Sequence, residues 1–159
     1  MGKTSQVAWN PRLGAAGNAR RHLPAMVRAY FKEVRELLAA DPPPAELHAI
    51  RLATKRVRYT LELFRPCYGP GLKIRLAALQ RLQQILGEVN DCAAAERLID
   101  SLIPASGSRQ RVEAFLRRRA AAIAVLLRKE WSETFDAPRR EQWWLQYLAK
   151  NAKARKSRL

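Results

Sequence analysis

His48, Arg51, Lys55 and Arg58 follow one another at steps of three, four and three residues. Steps of that kind, at about 100° per residue, set side chains in a single row along a helix. An imidazole and three cations in a row have a narrow chemistry. They can donate to phosphate or carboxylate oxygens, and the imidazole can also move a proton. Their setting on the helix narrows it further. Leu47, Ile50, Thr54, Val57, Leu61 and Phe64 make an apolar stripe directly beside the row, while Leu52, Tyr59 and Leu63 lie on its far side. Only Ala49, Ala53, Arg56 and Thr60 remain for a solvent face. Like charges one turn apart repel by roughly a few tenths of a kcal/mol each, and partial burial costs several times that unless an anion compensates. Glu62 is the acid in line with the row and can neutralise one of its members. A polyanion lying in a groove between this helix and its neighbours would resolve the repulsion.

Proton chemistry is harder to build from these parts. The chain has two histidines, and the other, His22, stands in no motif. Metal sites need several His, Cys or carboxylate groups converging. No H-E-x-x-H, G-x-x-x-x-G-K or nucleophile elbow occurs. Glu46 and Glu62 sit about four turns apart and offer no paired acids beside His48. His48 is open to three roles: a general base, a core imidazole bonded to a neighbouring helix, or a phosphate contact continuing the line of Arg51 and Lys55. The expectation is a binding protein, not an enzyme, with no catalytic residue, no metal and no cofactor.

The spacing H-x-x-R-x-x-x-K-R-x-R-Y, here His48, Arg51, Lys55, Arg56, Arg58 and Tyr59, resembles the signature of the CHAD domain, the conserved-histidine α-helical domain. Downstream, Leu79-Gln80 through Leu86-Gly87-Glu88-Val89-Asn90-Asp91 resembles that family's L-Q-x-x-L-G-x-x-N-D block. The resemblance covers the stretch from about Leu23 to Leu102. It implies a helical bundle that binds inorganic polyphosphate in a basic central channel, without known catalysis of its own. Members usually carry two such halves in tandem, whereas one copy is found here.

The elements that must position the row are helical. No strand pattern, heptad or internal repeat is evident, so the fold class is all-α, an antiparallel bundle of five to six helices. At 159 residues the chain is one domain, large enough to bury a core. Residues 1–20, with Asn10-Pro11, Gly14 and Gly17, read as a flexible arm, 21–150 as the CHAD-like helical domain and 151–159 as a basic tail. The first helix spans Pro24 to Ala40 and the row helix ends at Pro66. A third carries Leu72, Leu76, Leu79, Leu82, Leu86 and Val89. Gly87 and Asn90-Asp91 mark a bend, after which Asp91 either caps a fourth helix, Cys92 to Ile103, or holds an arginine of the row. A fifth helix runs from about Arg109 to Phe135. The last, Glu141 to Lys150, uses Trp143, Trp144, Tyr147 and Leu148 to dock on the bundle or on a second subunit.

Thirty Lys and Arg against 14 Asp and Glu give a net charge of +16 and a pI near 11.0. Such a balance calls for a polyanionic partner: polyphosphate, nucleic acid or an anionic membrane surface. The longest apolar run, Ala120 to Leu127, is too short to cross a bilayer. Low cysteine usage, Cys67 and Cys92, and a start without an apolar h-region point to a reducing cytoplasmic setting. With polyphosphate as ligand, granule association is the corresponding expectation.

Further cations are expected around the groove. Arg28 and Lys32, in line with Arg35, edge the first helix. On the fifth, Arg119 shares the apolar face of Val112, Phe115, Leu116, Ile123 and Leu126, Arg111, Arg118 and Lys129 border it, and Arg117 and Arg128 point to solvent. The expected polyphosphate-binding set is His48, Arg51, Lys55, Arg56 and Arg58, with Arg28, Lys32, Arg111, Arg118 and Arg119 across from them. With about six contacts, affinity would fall on the order of a thousandfold between low and moderate ionic strength. Nucleic acid is the weaker competitor, because Tyr59 is the sole aromatic ring near the row for a base to stack on. A basic nucleic-acid-binding or ribonucleoprotein-associated protein is the alternative. A homodimer joined through Trp143 and Trp144 would restore the double unit of the family.

Overall fold

The structure, a computed structural model, describes residues 8–154. Among them there is no strand. The helices are α1 (Gly14–Ala39), α2 (His48–Leu63), α3 (Pro70–Leu102), α4 (Gly107–Glu130) and α5 (Arg140–Lys150), so the all-α expectation holds. Short 3-10 turns join α1 to α2 and α2 to α3, and one wide π-helical turn, Trp131–Phe135, follows α4.

Helix α1 begins ten residues before Pro24, which lies inside it. An interior proline removes a donor and crowds the preceding turn, at about 3 kcal/mol. Packing on both sides offsets this: Ala16, Ala19 and Leu23 are buried on one side of Pro24, and Val27, Tyr30, Phe31 and Val34 on the other. Asn18 is buried too, and fully bonded. Its Oδ1 accepts from the Asn10 N–H at 2.9 Å, and its Nδ2 donates to the carbonyls of Asn10 and Gly14 at 2.8 and 2.7 Å. The stretch expected as a flexible arm is therefore ordered helix from Gly14 onward, and the boundary at residue 20 falls within α1; residues 1–7 lie outside the described residues.

Helix α2 buries Ile50, Ala53, Thr54, Val57 and Leu61. That is the expected stripe, with Ala53 added. Its far side differs: Leu52, Tyr59 and Leu63 are exposed, so the row has packed neighbours on one flank only. Helix α3 runs unbroken for 33 residues. Gly87 and Asn90-Asp91 do not bend it, because Leu82, Ile85, Leu86, Val89 and Cys92 bury a continuous face whose contacts outweigh the roughly 1 kcal/mol that an interior glycine costs. Asp91 is an exposed mid-helix residue and caps nothing. Helix α3 packs on α2 along one side and on α4 along the other, and α1 packs on α5.

The π-helical turn returns the chain to α1. There Trp131 and Phe135 stack at 5.0 Å between centroids and meet Phe31, while Trp144 packs on Phe31 and Phe135. Trp144 is thus core, which excludes it from the expected subunit contact. Trp143 is engaged as well: the buried guanidinium of Arg75 lies 3.4 Å from its ring centroid and 4.0 Å from that of Tyr147. Arg75 donates to the carbonyls of Gly71 at 2.8 Å and Trp143 at 2.7 Å. Burial, aided by Arg140, pushes its pKa down to about 10. The start of the expected tail is docked: Ala152 is buried, its carbonyl accepts from Arg20 Nη1 at 2.6 Å, and the Lys153 N–H donates to the Cys67 carbonyl at 2.8 Å. Arg155, Lys156 and Arg158 lie outside the described residues. Among those described, no helix is long and apolar enough to cross a membrane.

Candidate functional site

The row on α2 sits beside α3, which runs antiparallel to it. Arg58 Nε donates to Gln83 Oε1 at 2.7 Å near one end, and His48 shares a cavity with Leu86, Asn90 and Arg97 at the other. From His48 to Arg58 the row spans about 15 Å at 1.5 Å per residue.

Arg58 is the anchored member. Besides Gln83 it bonds Glu62 at 2.7 Å, and its guanidinium lies over the Tyr59 ring at 4.6 Å. Glu62 therefore neutralises Arg58, and no other acid in line is left for the rest. Lys55 lies 5.6 Å from the same ring. Arg51 and Lys55 have no ion-pair partner among the described residues, and the buried Arg51 Nε has no hydrogen-bond partner. A buried donor in that state costs about 1–3 kcal/mol. Among the described residues the Arg51 guanidinium has no internal counter-charge.

The facing wall is α3 rather than α1 or α4. Gln83, Asn90 and Arg97 are spaced by seven residues, which on an unbroken helix makes one polar stripe. A cavity of about 310 Å³ lies at one end of the groove. Pro44 and Ala45 line it together with His48 of α2 and Leu86, Val89, Asn90, Ala93 and Arg97 of α3. Arg97 and Asn90 do not figure in the expected set. Their places seven and fourteen residues after Gln83 were the available signal, hidden by the bend expected at Asn90-Asp91.

The other expected cations stand elsewhere. Arg56 leans the opposite way, 3.5 Å from Glu33 of α1. Arg28 and Lys32 share a flank of α1 with Arg35, which binds Asp136 and Glu141 at 2.6 Å each, on the α5 side and away from α2. Lys32 is 3.8 Å from Glu36. On α4 the buried residues are Ala120, Ile123 and Leu127, whereas Val112, Phe115 and Leu126 are exposed. Of the expected stripe Ile123 is buried, while Val112, Phe115 and Leu126 fall outside the face that meets α3. Arg111, Arg118 and Lys129 consequently lie on the outer side of α4, all exposed. Arg119 is exposed as well, 3.9 Å from Glu88. Arg117 faces solvent as expected, with Glu96 at 3.4 Å, whereas Arg128 is half-buried, pairs with Asp41 at 2.7 Å and bonds the Leu38 carbonyl.

Fold and site together give an all-α bundle in which a row of cations on α2 lies beside a polar stripe of α3. The family model for the CHAD domain matches residues 3–100, and the chain belongs to that family. The matched stretch holds both the α2 row and the α3 stripe, from His48 to Arg97. The family is one of binding domains associated with polyphosphate. No curated protein and no solved structure matches the chain.

Proposed function

We propose that this chain binds inorganic polyphosphate in the α2–α3 groove and performs no catalysis of its own. The observation that carries this is a row of cations whose one in-line acid, Glu62, is already taken by Arg58. Arg51 and Lys55 are thereby presented beside α3 with no acid among the described residues to neutralise them. A thin chain of phosphates supplies oxygens at successive positions, suited to Arg forks and Lys ammonium groups one turn apart. Nucleic acid is served less well, since Tyr59 already lies beneath Lys55 and Arg58 and leaves no clear aromatic platform for a base. The test is competition at one fixed near-physiological salt: unlabelled polyphosphate bound to the protein is challenged with a charge-matched excess of DNA or RNA. Retention of polyphosphate, lost in Arg51→Ala, is the expected result. Displacement charge for charge would reduce the row to part of a generic polycation.

A second chain is the partner we propose for the open flank of the row. Leu52, Tyr59 and Leu63 are exposed along one line of α2 beside the cations, and a two-fold contact there would set two rows on either side of one channel. Sedimentation should show a dimer that Leu63→Glu dissociates. A monomer at all concentrations refutes the pairing.

A further inference from the structure

The groove has a closed end. The turn Pro44–Leu47 that leads into α2 packs on α3, so the cavity beside His48 is walled where the row stops. A strand of ligand lying along Arg58, Lys55 and Arg51 arrives at a pocket and not at open solvent. Donors also change in density there. Along the row the cations come one per turn, but at the pocket His48, Arg97 and Asn90 converge on one space of about 310 Å³. An imidazole, a guanidinium fork and an amide match the three non-bridging oxygens of a terminal phosphate more fully than the two of an internal one. A terminal phosphate differs: it has an additional ionisable oxygen, with a second pKa near about 6, and carries roughly −1.5 to −2 at neutral pH. The floor of Leu86, Val89 and Ala93 presents apolar side chains, which offer no hydrogen bond to a continuing polar chain.

We infer that this pocket receives the terminal phosphate, so that the protein binds polyphosphate by its ends, with Arg97 and Asn90 as the end-recognising residues. The inference rests on the polyphosphate reading above. It is tested by titrating medium and long polyphosphates of defined length, with and without terminal phosphates blocked as amidates, at one fixed salt. The expected result is one protein per chain end whatever the length, with blocked chains bound about tenfold or more weakly. Arg97→Ala, an exposed helical substitution checked for folding by circular dichroism, should weaken binding to free-ended chains by about ten- to a hundredfold and remove the preference over blocked ones. Bound protein rising in proportion to chain length, with no effect of blocking, overturns end recognition while leaving polyphosphate binding intact. Failure to bind at every length would overturn both.

Discussion

Arg51→Ala should change how steeply binding falls with salt, not only how tight it is. Among the described residues the groove cations without an ion-pair partner are Arg51, Lys55 and Arg97, with Arg58 offset by Glu62 and His48 counted as neutral. Each phosphate neutralised on a single strand contributes about −0.7 to the slope of log affinity against log salt. Three contacts give a slope of roughly −2, so a fourfold rise in salt weakens binding about twentyfold. That is far gentler than the thousandfold expected from the sequence, because Arg28, Lys32 and Arg118 stand outside the groove. Removing Arg51 takes away one contact: the slope drops to about −1.4 and the same salt step weakens binding only about sevenfold. At low salt the variant should also lose about 1–3 kcal/mol. Arg118→Ala, on the outer side of α4, should leave the slope unchanged. Isothermal titration calorimetry with unlabelled polyphosphate over a salt series measures all three proteins. Equal loss of slope in Arg51→Ala and Arg118→Ala would refute the groove, since only a diffuse polycation treats the two sites alike.

Tyr30→Phe removes the bond between Tyr30 and Thr54, 2.9 Å long and fully buried, but Thr54 still donates to the Ile50 carbonyl at 2.8 Å; urea unfolding should show a loss of about 0.5–1.5 kcal/mol. Arg75→Met removes the bonds to the Gly71 and Trp143 carbonyls and the stacking on Trp143 and Tyr147, and should cost about 1–3 kcal/mol, and Arg75→Lys should fail to restore stability because an ammonium cannot reproduce the stacked fork. Gly71→Ala places a Cβ 2.5 Å from Tyr147 Cε2, so the ring must shift, at roughly 1–3 kcal/mol in the same assay. Burial raises the pKa of the Tyr30 and Tyr68 phenols. Above about pH 10 the folded state therefore holds protons that the unfolded state has released, and stability should fall as pH rises. Arg75, with its lowered pKa, acts with the opposite sign over the same range, and Tyr30→Phe should flatten the decline in urea midpoints.

Much of the fold was legible because long periodic stripes override local signals. The α2 stripe from Leu47 to Leu61 and the α3 stripe from Leu72 to Val89 were readable by spacing alone. Where punctuation residues met a buried face, the face won: Pro24 sits inside α1 and Gly87 inside α3. Half of the candidate site was visible, since the α2 row lies within one turn-to-turn pattern. The α3 half was not, because Gln83, Asn90 and Arg97 form a stripe only if the helix continues through Asn90-Asp91. On α4 the expected stripe was right at Ile123 but not at Val112, Phe115 and Leu126, because which face of α4 is covered depends on the neighbour α3. Arg75 carried no signal at all: a lone arginine in a leucine-rich helix gains meaning only when Trp143 and Tyr147 arrive from the far end of the chain.

Helix α3 is about 50 Å long, and its last turns together with the start of α4 leave the body of the bundle. From Ala93 to Arg119 no residue is fully buried. The hairpin turn is held by Arg109, which pairs with exposed Asp100 and half-buried Glu113 and bonds the Ile103 carbonyl, and few apolar contacts support these bonds. The molecule should therefore have two tempos. Amides of α1 and α2 exchange with solvent only on global unfolding, whereas those of the hairpin exchange through a local opening of small free energy. Asn90, Ala93 and Arg97 stand at the root of that hairpin, so an anion seated against them would act as a brake, registered as slowed exchange far beyond any atom it touches.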